Sequence, residues 1–263
     1  MFRRARRTIP ATLIAIGVVL LALAAGPLHA AELHVAVAAN FFGPLKQLAP
    51  LFRQASGHEL IISSGSSGQL YTQIEQGAPF DVFLSADIDK PRRLEQEGFA
   101  VPGSRFTYAV GSLVLWSEKP ALIGGSGKVL QSGHYRMIAV ANPQTAPYGT
   151  AAQQVLTAMG LWERLNREHR VVIGENITQT WQFAASGNVD LAFVALSQVI
   201  GPGGAISNAG WPVPQTLYAP IEQGAVILAH SPQRAAAEAF MRWLRSAPAA
   251  LAIIRSAGYR TAG

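Results

Sequence analysis

Residues 33–97 read LHVAVAANFFGPLKQLAPLFRQASGHELIISSGSSGQLYTQIEQGAPFDVFLSADIDKPRRLEQE. Short apolar runs alternate in it with amphipathic segments: Leu33–Ala38, Phe42–Ala55, Leu60–Ser63, Leu70–Gln76, Val82–Leu84 and Lys90–Glu97. A strand-like period giving way to a helical one, three times over, predicts βαβ units and a parallel sheet covered by helices on both faces. Ligands of such sheets sit in the crevice beyond the carboxyl ends of the strands.

Outward from this stretch, Arg105–Ser117 reads as one long strand. The alternation then resumes with Met137–Ala141 (strand), Thr150–Met159 (helix), Val171–Ile173 (strand), Gln179–Ser186 (helix) and Leu191–Val194 (strand). After the Gly- and Pro-rich stretch Gly201–Pro214, a second long strand-like run, Gln215–Ala229, leads into amphipathic helices around Arg234–Arg245 and Ala249–Ala257. Two extended segments thus bracket a middle α/β unit. If both cross between lobes, the middle unit is an insertion: residues 31–112 and 222–263 form lobe I, residues 113–221 form lobe II, and a cleft lies between them. No repeat at solenoid periods and no low-complexity tract interrupts the pattern.

Composition narrows the chemistry. With 263 residues, 49% of them apolar and 14% charged, the chain is globular rather than disordered or fibrous. Zero Cys excludes disulfides, thiol nucleophiles and Cys-ligated metal centres. The net charge of +6 suggests an acidic partner, but Arg3, Arg4, Arg6 and Arg7 supply four of the 21 basic residues. Residues 31–263 keep 17 against 15 acids, or +2. Those arginines open a leader with an apolar run from Ala11 to Gly26, a Gly26-Pro27 break and a small-residue cleavage site at Ala30. We read residues 1–30 as a signal peptide, because the run is shorter than the roughly 20 residues a spanning helix needs. The exported chain is expected to be soluble. Arg6-Arg7 leaves a twin-arginine signal open, with the plain n-region favoured.

Four places share one feature, a strand that ends in a short polar or Gly-containing turn followed at once by a helix. They are Ala39-Asn40, Gly65-Ser66-Ser67-Gly68, Pro147-Tyr148-Gly149 and Asn176-Ile177-Thr178. The first turn of a helix carries unpaired N–H donors at the positive end of the peptide dipoles, a ready anion site. Two of the four fall in each proposed lobe, so together they could surround a small anion without any charged side chain. Taken singly, Ser67 and Asn40 also read as ordinary helix caps.

The chain resembles the periplasmic molybdate- and tungstate-binding proteins of ABC importers, over residues 32–258. The stretches that carry the likeness are Ala36–Phe41, Ile62–Gly68, Gly77–Asp87, Gly103–Tyr108, Ala141–Pro143, Ala146–Gly149 and Phe193–Leu196. The resemblance implies the type II periplasmic binding-protein fold: an α/β architecture of two Rossmann-like lobes with mixed, mostly parallel sheets, joined by two crossing strands around a ligand cleft. It implies a periplasmic protein that captures molybdate or tungstate and delivers it to the membrane subunits of an importer. The oxyanion would be held through its oxygens by the Asn40 and Ser67 side chains and by main-chain N–H groups at Ala39, Tyr148 and Ile177, with no direct protein–metal ligand and no cofactor. Some relatives have Thr where Ala39 stands, and another branch has a Tyr aligned with Ala195. Both hydroxyls are absent here, so the Ala39 N–H, water or Ser66 is expected to replace them. Ile177 stands where Val is common, a change that a backbone donor tolerates.

Other classes fit less well. Gly65–Gly68 lacks the spacing of a nucleophile elbow, and His34, His58, His134, His169 and His230 show no metal-ligand spacing, which argues against a hydrolase. A regulator's effector domain would need a DNA-binding segment, and no helix-turn-helix is evident, so no nucleic-acid partner is expected. Arg105 and Asp87 could form a substrate clamp, but Asp87 follows a strand just before a helical stretch, where an N-cap or an interlobe salt bridge is the better reading. A monomer is expected. The rival reading within binding proteins is another tetrahedral oxyanion such as sulfate or phosphate, because helix-end donors name charge and shape rather than the central atom.

Overall fold

The computed structural model describes residues 30–207 and 209–261. The expected signal peptide, apart from Ala30, lies outside the described residues. The first part of the chain runs β1 (Glu32–Ala38), a 3₁₀ turn (Ala39–Phe41), α1 (Phe42–Ser56), β2 (Glu59–Gly65), α2 (Ser67–Glu75), β3 (Val82–Leu84), α3 (Asp89–Gln96) and β4 (Phe106–Gly111). The middle runs β5 (Leu113–Ser117), α4 (Pro120–Ile123), α5 (Lys128–Ser132), β6 (Ile138–Ala141), α6 (Pro147–Ala158), α7 (Trp162–Arg167), β7 (Val171–Gly174), α8 (Ile177–Ala185), β8 (Leu191–Ala195), α9 (Leu196–Val199) and β9 (Ala209–Pro212). The chain closes with β10 (Ile221–Ile227), α10 (Arg234–Ser246) and α11 (Pro248–Ser256).

Two five-stranded sheets result, ordered β2-β1-β3-β10-β4 and β7-β6-β8-β5-β9. In each, three parallel strands come from consecutive βα units, and two further strands extend one side, the first of them paired antiparallel both with the parallel set and with the edge strand beyond it. The parallel strands carry near-continuous apolar sequence because helices cover both faces. Around the first sheet, Leu45 and Phe52 of α1 pack with Phe240 of α10 and Ile254 of α11 on one side. Leu70 and Ile74 of α2 pack with Leu94 of α3 on the other.

Two long strands of the sequence reading are corrected. Arg105–Ser117 divides at Ser112, so that β4 joins the first sheet and β5 the second. Gln215–Ala229 is a strand only over β10; the chain leaves the second sheet after β9, makes a 3₁₀ turn at Gln215–Leu217, and only then enters the first. Pro212, Pro214 and Pro220 account for the break, since proline offers no N–H to a ladder. The short helices α4, α5, α7 and α9 had no clear period in the sequence.

Candidate functional site

All four helix starts singled out in the sequence open onto one small cavity. Its wall is made by Ala38, Ala39 and Asn40, by Gly65, Ser66 and Ser67, by Ala146, Pro147 and Tyr148, by Asn176 and Ile177, and by Ala86. None of these carries a formal charge, and no histidine is among them. Ala39, Asn40, Ser67, Tyr148 and Ile177 are all brought together here, whereas Ala195 is not part of the wall.

Each start is built by local chemistry. After β2, Ser66 caps α2 in a capping box: its Oγ accepts from the Gln69 N–H at 3.4 Å, and Gln69 Oε1 accepts from the Ser66 N–H at 3.4 Å. The cap is therefore Ser66, not Ser67. Ser67 is 1% exposed, and its Oγ accepts from the Ala86 N–H at 2.9 Å, which leaves its hydroxyl proton to offer to the cavity. Asn176 caps α8, Oδ1 accepting from the N–H groups of Thr178 (3.0 Å) and Gln179 (3.1 Å). The Ile177 N–H ahead of these has no intrahelical acceptor. Pro147 occupies the first position of α6, where its missing N–H costs nothing, and places Tyr148 in the first turn. Gly149 is required there, because a Cβ would run into the Ala141 carbonyl at the end of β6.

One side chain behaves differently from the sequence expectation. Asn40 does not aim its amide donors into the cavity: Nδ2 donates to Gln223 Oε1 at 2.8 Å and to the Tyr259 hydroxyl at 2.9 Å. What the 3₁₀ turn leaves for a ligand is the main chain of Ala39 and Asn40. The Tyr148 phenol is also turned away, 3.4 Å from Gln223 Nε2. Burial pushes it well above the ordinary tyrosine range, and nearby Tyr259 and Tyr108 add to the effect. The residues that sequence reasoning missed are Gln223, Tyr108 and Tyr259, which form a buried polar layer behind the Asn40 turn. One signal existed for Gln223: it is a lone amide at the head of the apolar run Ala225–Ile227, in a strand buried on both faces.

Contacts cross between the two sheets' units around the cavity. Gly68 N donates to Thr145 O at 2.8 Å, Ser197 Oγ to Asn40 O at 2.9 Å, and Thr178 Oγ1 to Ala39 O at 3.4 Å. Charged groups stay outside. Asp87, Asp89, Lys90 and Glu222 line a wider groove that shares Ala86, Ala146 and Pro147 with the cavity, and Lys90 is paired with Asp87 at 2.7 Å. Asp87 also accepts from the Lys90 N–H at 2.8 Å just ahead of α3, and Arg105 pairs with Glu95 at 2.9 Å, both pairings local to residues 87–105 rather than between lobes. Among the described residues, no cluster of three His, Asp or Glu side chains could hold a metal ion.

A ring of fixed N–H and O–H donors without charge or base suits a small anion. Each charge-assisted hydrogen bond contributes roughly 1.5–3 kcal/mol, so several can offset dehydration of a dianion.

Comparison with known proteins agrees with this geometry. Residues 33–260 match the family described as bacterial extracellular solute-binding proteins. The molybdate-binding protein ModA of Azotobacter vinelandii is 49% identical over 94% of this chain and 95% of its own length. That of Rhodobacter capsulatus is 49% identical over 96% and 98%. The solved structure of the Azotobacter vinelandii periplasmic molybdate-binding protein superposes with a TM-score of 0.86, covering 88% of this chain and 100% of the other. From the sequence match, the shared two-sheet architecture and the cavity between its helix ends, the chain belongs to the bacterial extracellular solute-binding protein family.

Proposed function

We propose that this protein captures molybdate, or its heavier congener tungstate, in the cavity between its two sheets and delivers it to the membrane subunits of an ABC importer. The observation that carries the reading is the uncharged wall on which four helix starts converge. The relatives named for molybdate, 49% identical over nearly the whole chain, support that anion over sulfate or phosphate. In this reading residues 31–112 and 222–263 are one lobe and 113–221 the other, and the protein works in the periplasm as a monomer after removal of residues 1–30. It binds rather than catalyses, and nucleic acid is no partner.

The oxygens would be held by the Ser67 hydroxyl and by N–H groups at Ala39, Asn40, Tyr148 and Ile177. Selectivity follows from size and protonation: sulfate is smaller than molybdate, and protonated phosphate brings a hydrogen to a site poor in acceptors. Titration calorimetry of the mature chain tests this. Molybdate and tungstate should bind tightly and sulfate and phosphate far more weakly; equal affinity for sulfate would refute the molybdate reading.

A further inference from the structure

Behind the cavity, Gln223 is 0% exposed and Asn40 3%. They lie 183 residues apart in sequence. Gln223 Oε1 accepts two hydrogen bonds, from Asn40 Nδ2 at 2.8 Å and from the Tyr108 hydroxyl at 2.9 Å. The Tyr259 hydroxyl accepts from Asn40 Nδ2 at 2.9 Å, donates to the Asn40 carbonyl at 2.8 Å and lies 2.9 Å from Ser197 Oγ. Ser197 in turn donates to the same carbonyl from the second sheet's side of the cleft. Phe41, the next residue of the turn, is wedged edge-on between Tyr108 and Tyr259, with ring centroids 4.9 and 5.4 Å away.

The Asn40 turn is thus fixed from behind through its side chain and its carbonyl, leaving the N–H groups of its first residues for a ligand in the cavity. A 3₁₀ turn of three residues has little rigidity of its own, so its place is set by what holds it. Gln223 is well suited to that task. It sits beside a register shift in β10, which re-aims a side chain relative to the ladder, and both donors that reach its Oε1 are themselves buried.

We propose that Gln223 is a positioning residue for ligand selection: by anchoring the Asn40 turn it keeps the donor ring at the width that favours a large tetrahedral oxyanion over a small one. Tyr259 acts with it from the other side of the Asn40 amide. The contact of Gln223 with Tyr148, at 3.4 Å, is the weak member of the network, so the effect runs through Asn40. This inference rests on the molybdate reading above.

The test compares Kd for molybdate and for sulfate by calorimetry in the wild type, Gln223→Met and Tyr259→Phe. Gln223→Met keeps the side-chain length and removes both hydrogen-bonding ends; Tyr259→Phe keeps the ring and removes the hydroxyl. The expected result is that the molybdate-to-sulfate preference drops about fivefold or more in both, because a released turn lets the ring contract onto the smaller anion. If both affinities fall by one common factor, or neither changes, Gln223 is merely structural and the inference is overturned. Should Gln223→Met fail to fold, Tyr259→Phe decides by the same criterion. A wild-type chain that binds no molybdate would overturn the molybdate reading itself, and this inference with it.

Discussion

Removing the Ser67 hydroxyl has two effects that the structure separates. In Ser67→Ala the Ala86 N–H loses its acceptor at 2.9 Å, and the cavity loses a hydroxyl donor. A buried N–H left unpaired costs about 1–3 kcal/mol, but Ala86 itself lines the cavity, where water can take over as acceptor. Stability should therefore fall by only about 1 kcal/mol, which lowers Tm by roughly 2–4 °C for a chain of this size. The binding term is larger, because the hydroxyl meets a charged oxygen in a water-poor site: about 1.5–3 kcal/mol, or roughly 10- to 100-fold in Kd. Titration calorimetry with molybdate, paired with thermal unfolding of the ligand-free variant, reads the two terms independently. A variant that loses the expected stability but binds with unchanged affinity would refute the reasoning, because Ser67 would then serve Ala86 alone.

Tyr148→Phe keeps the N–H and the buried ring, so its molybdate affinity should stay within a few-fold of wild type; Tyr148→Pro deletes the N–H and should weaken binding by about 1.5–3 kcal/mol, with circular dichroism verifying the fold beside Pro147. Gly68→Ala would set a Cβ 2.9 Å from Thr145 Cα across the cleft, so small-angle scattering should find a more open ligand-bound form and calorimetry a weaker affinity. No residue of the cavity wall titrates near neutrality, so affinity should be flat from about pH 6 to 8. Burial pushes the Tyr259 phenol up to about 12, from an unfolded value near 10. The native state then holds a proton that the unfolded chain has released. This contribution is intact below about pH 10 and is lost as pH rises towards 12, which denaturant titrations at pH 9 and 11 would detect.

The sequence located the four helix starts because each is a local event: a strand period stops, a Ser, Asn, Pro or Gly intervenes, and a helical period begins within three residues. The same locality limited what could be assigned to individual atoms. Ser66 and Ser67 are equivalent as letters, and only the capping box with Gln69 decides which one caps and which one is free. Asn40 reads as a cap or a ligand because its partners, Gln223 and Tyr259, lie 183 and 219 residues away and leave no periodic trace near it. In the run 215–229 Pro220 marks where the ladder cannot continue, whereas in 105–117 apolar residues lie on both sides of Ser112 and no proline marks the division between β4 and β5.

A crystal structure of the mature chain soaked with molybdate, with anomalous differences collected at the molybdenum edge, places the ligand without assumption. One molybdenum site should appear inside the cavity, its oxygens about 2.7–3.1 Å from the Ser67 hydroxyl and from the N–H groups of Tyr148 and Ile177. A molybdenum peak in the outer groove beside Lys90, with the cavity empty, would contradict an anion held by converging helix ends.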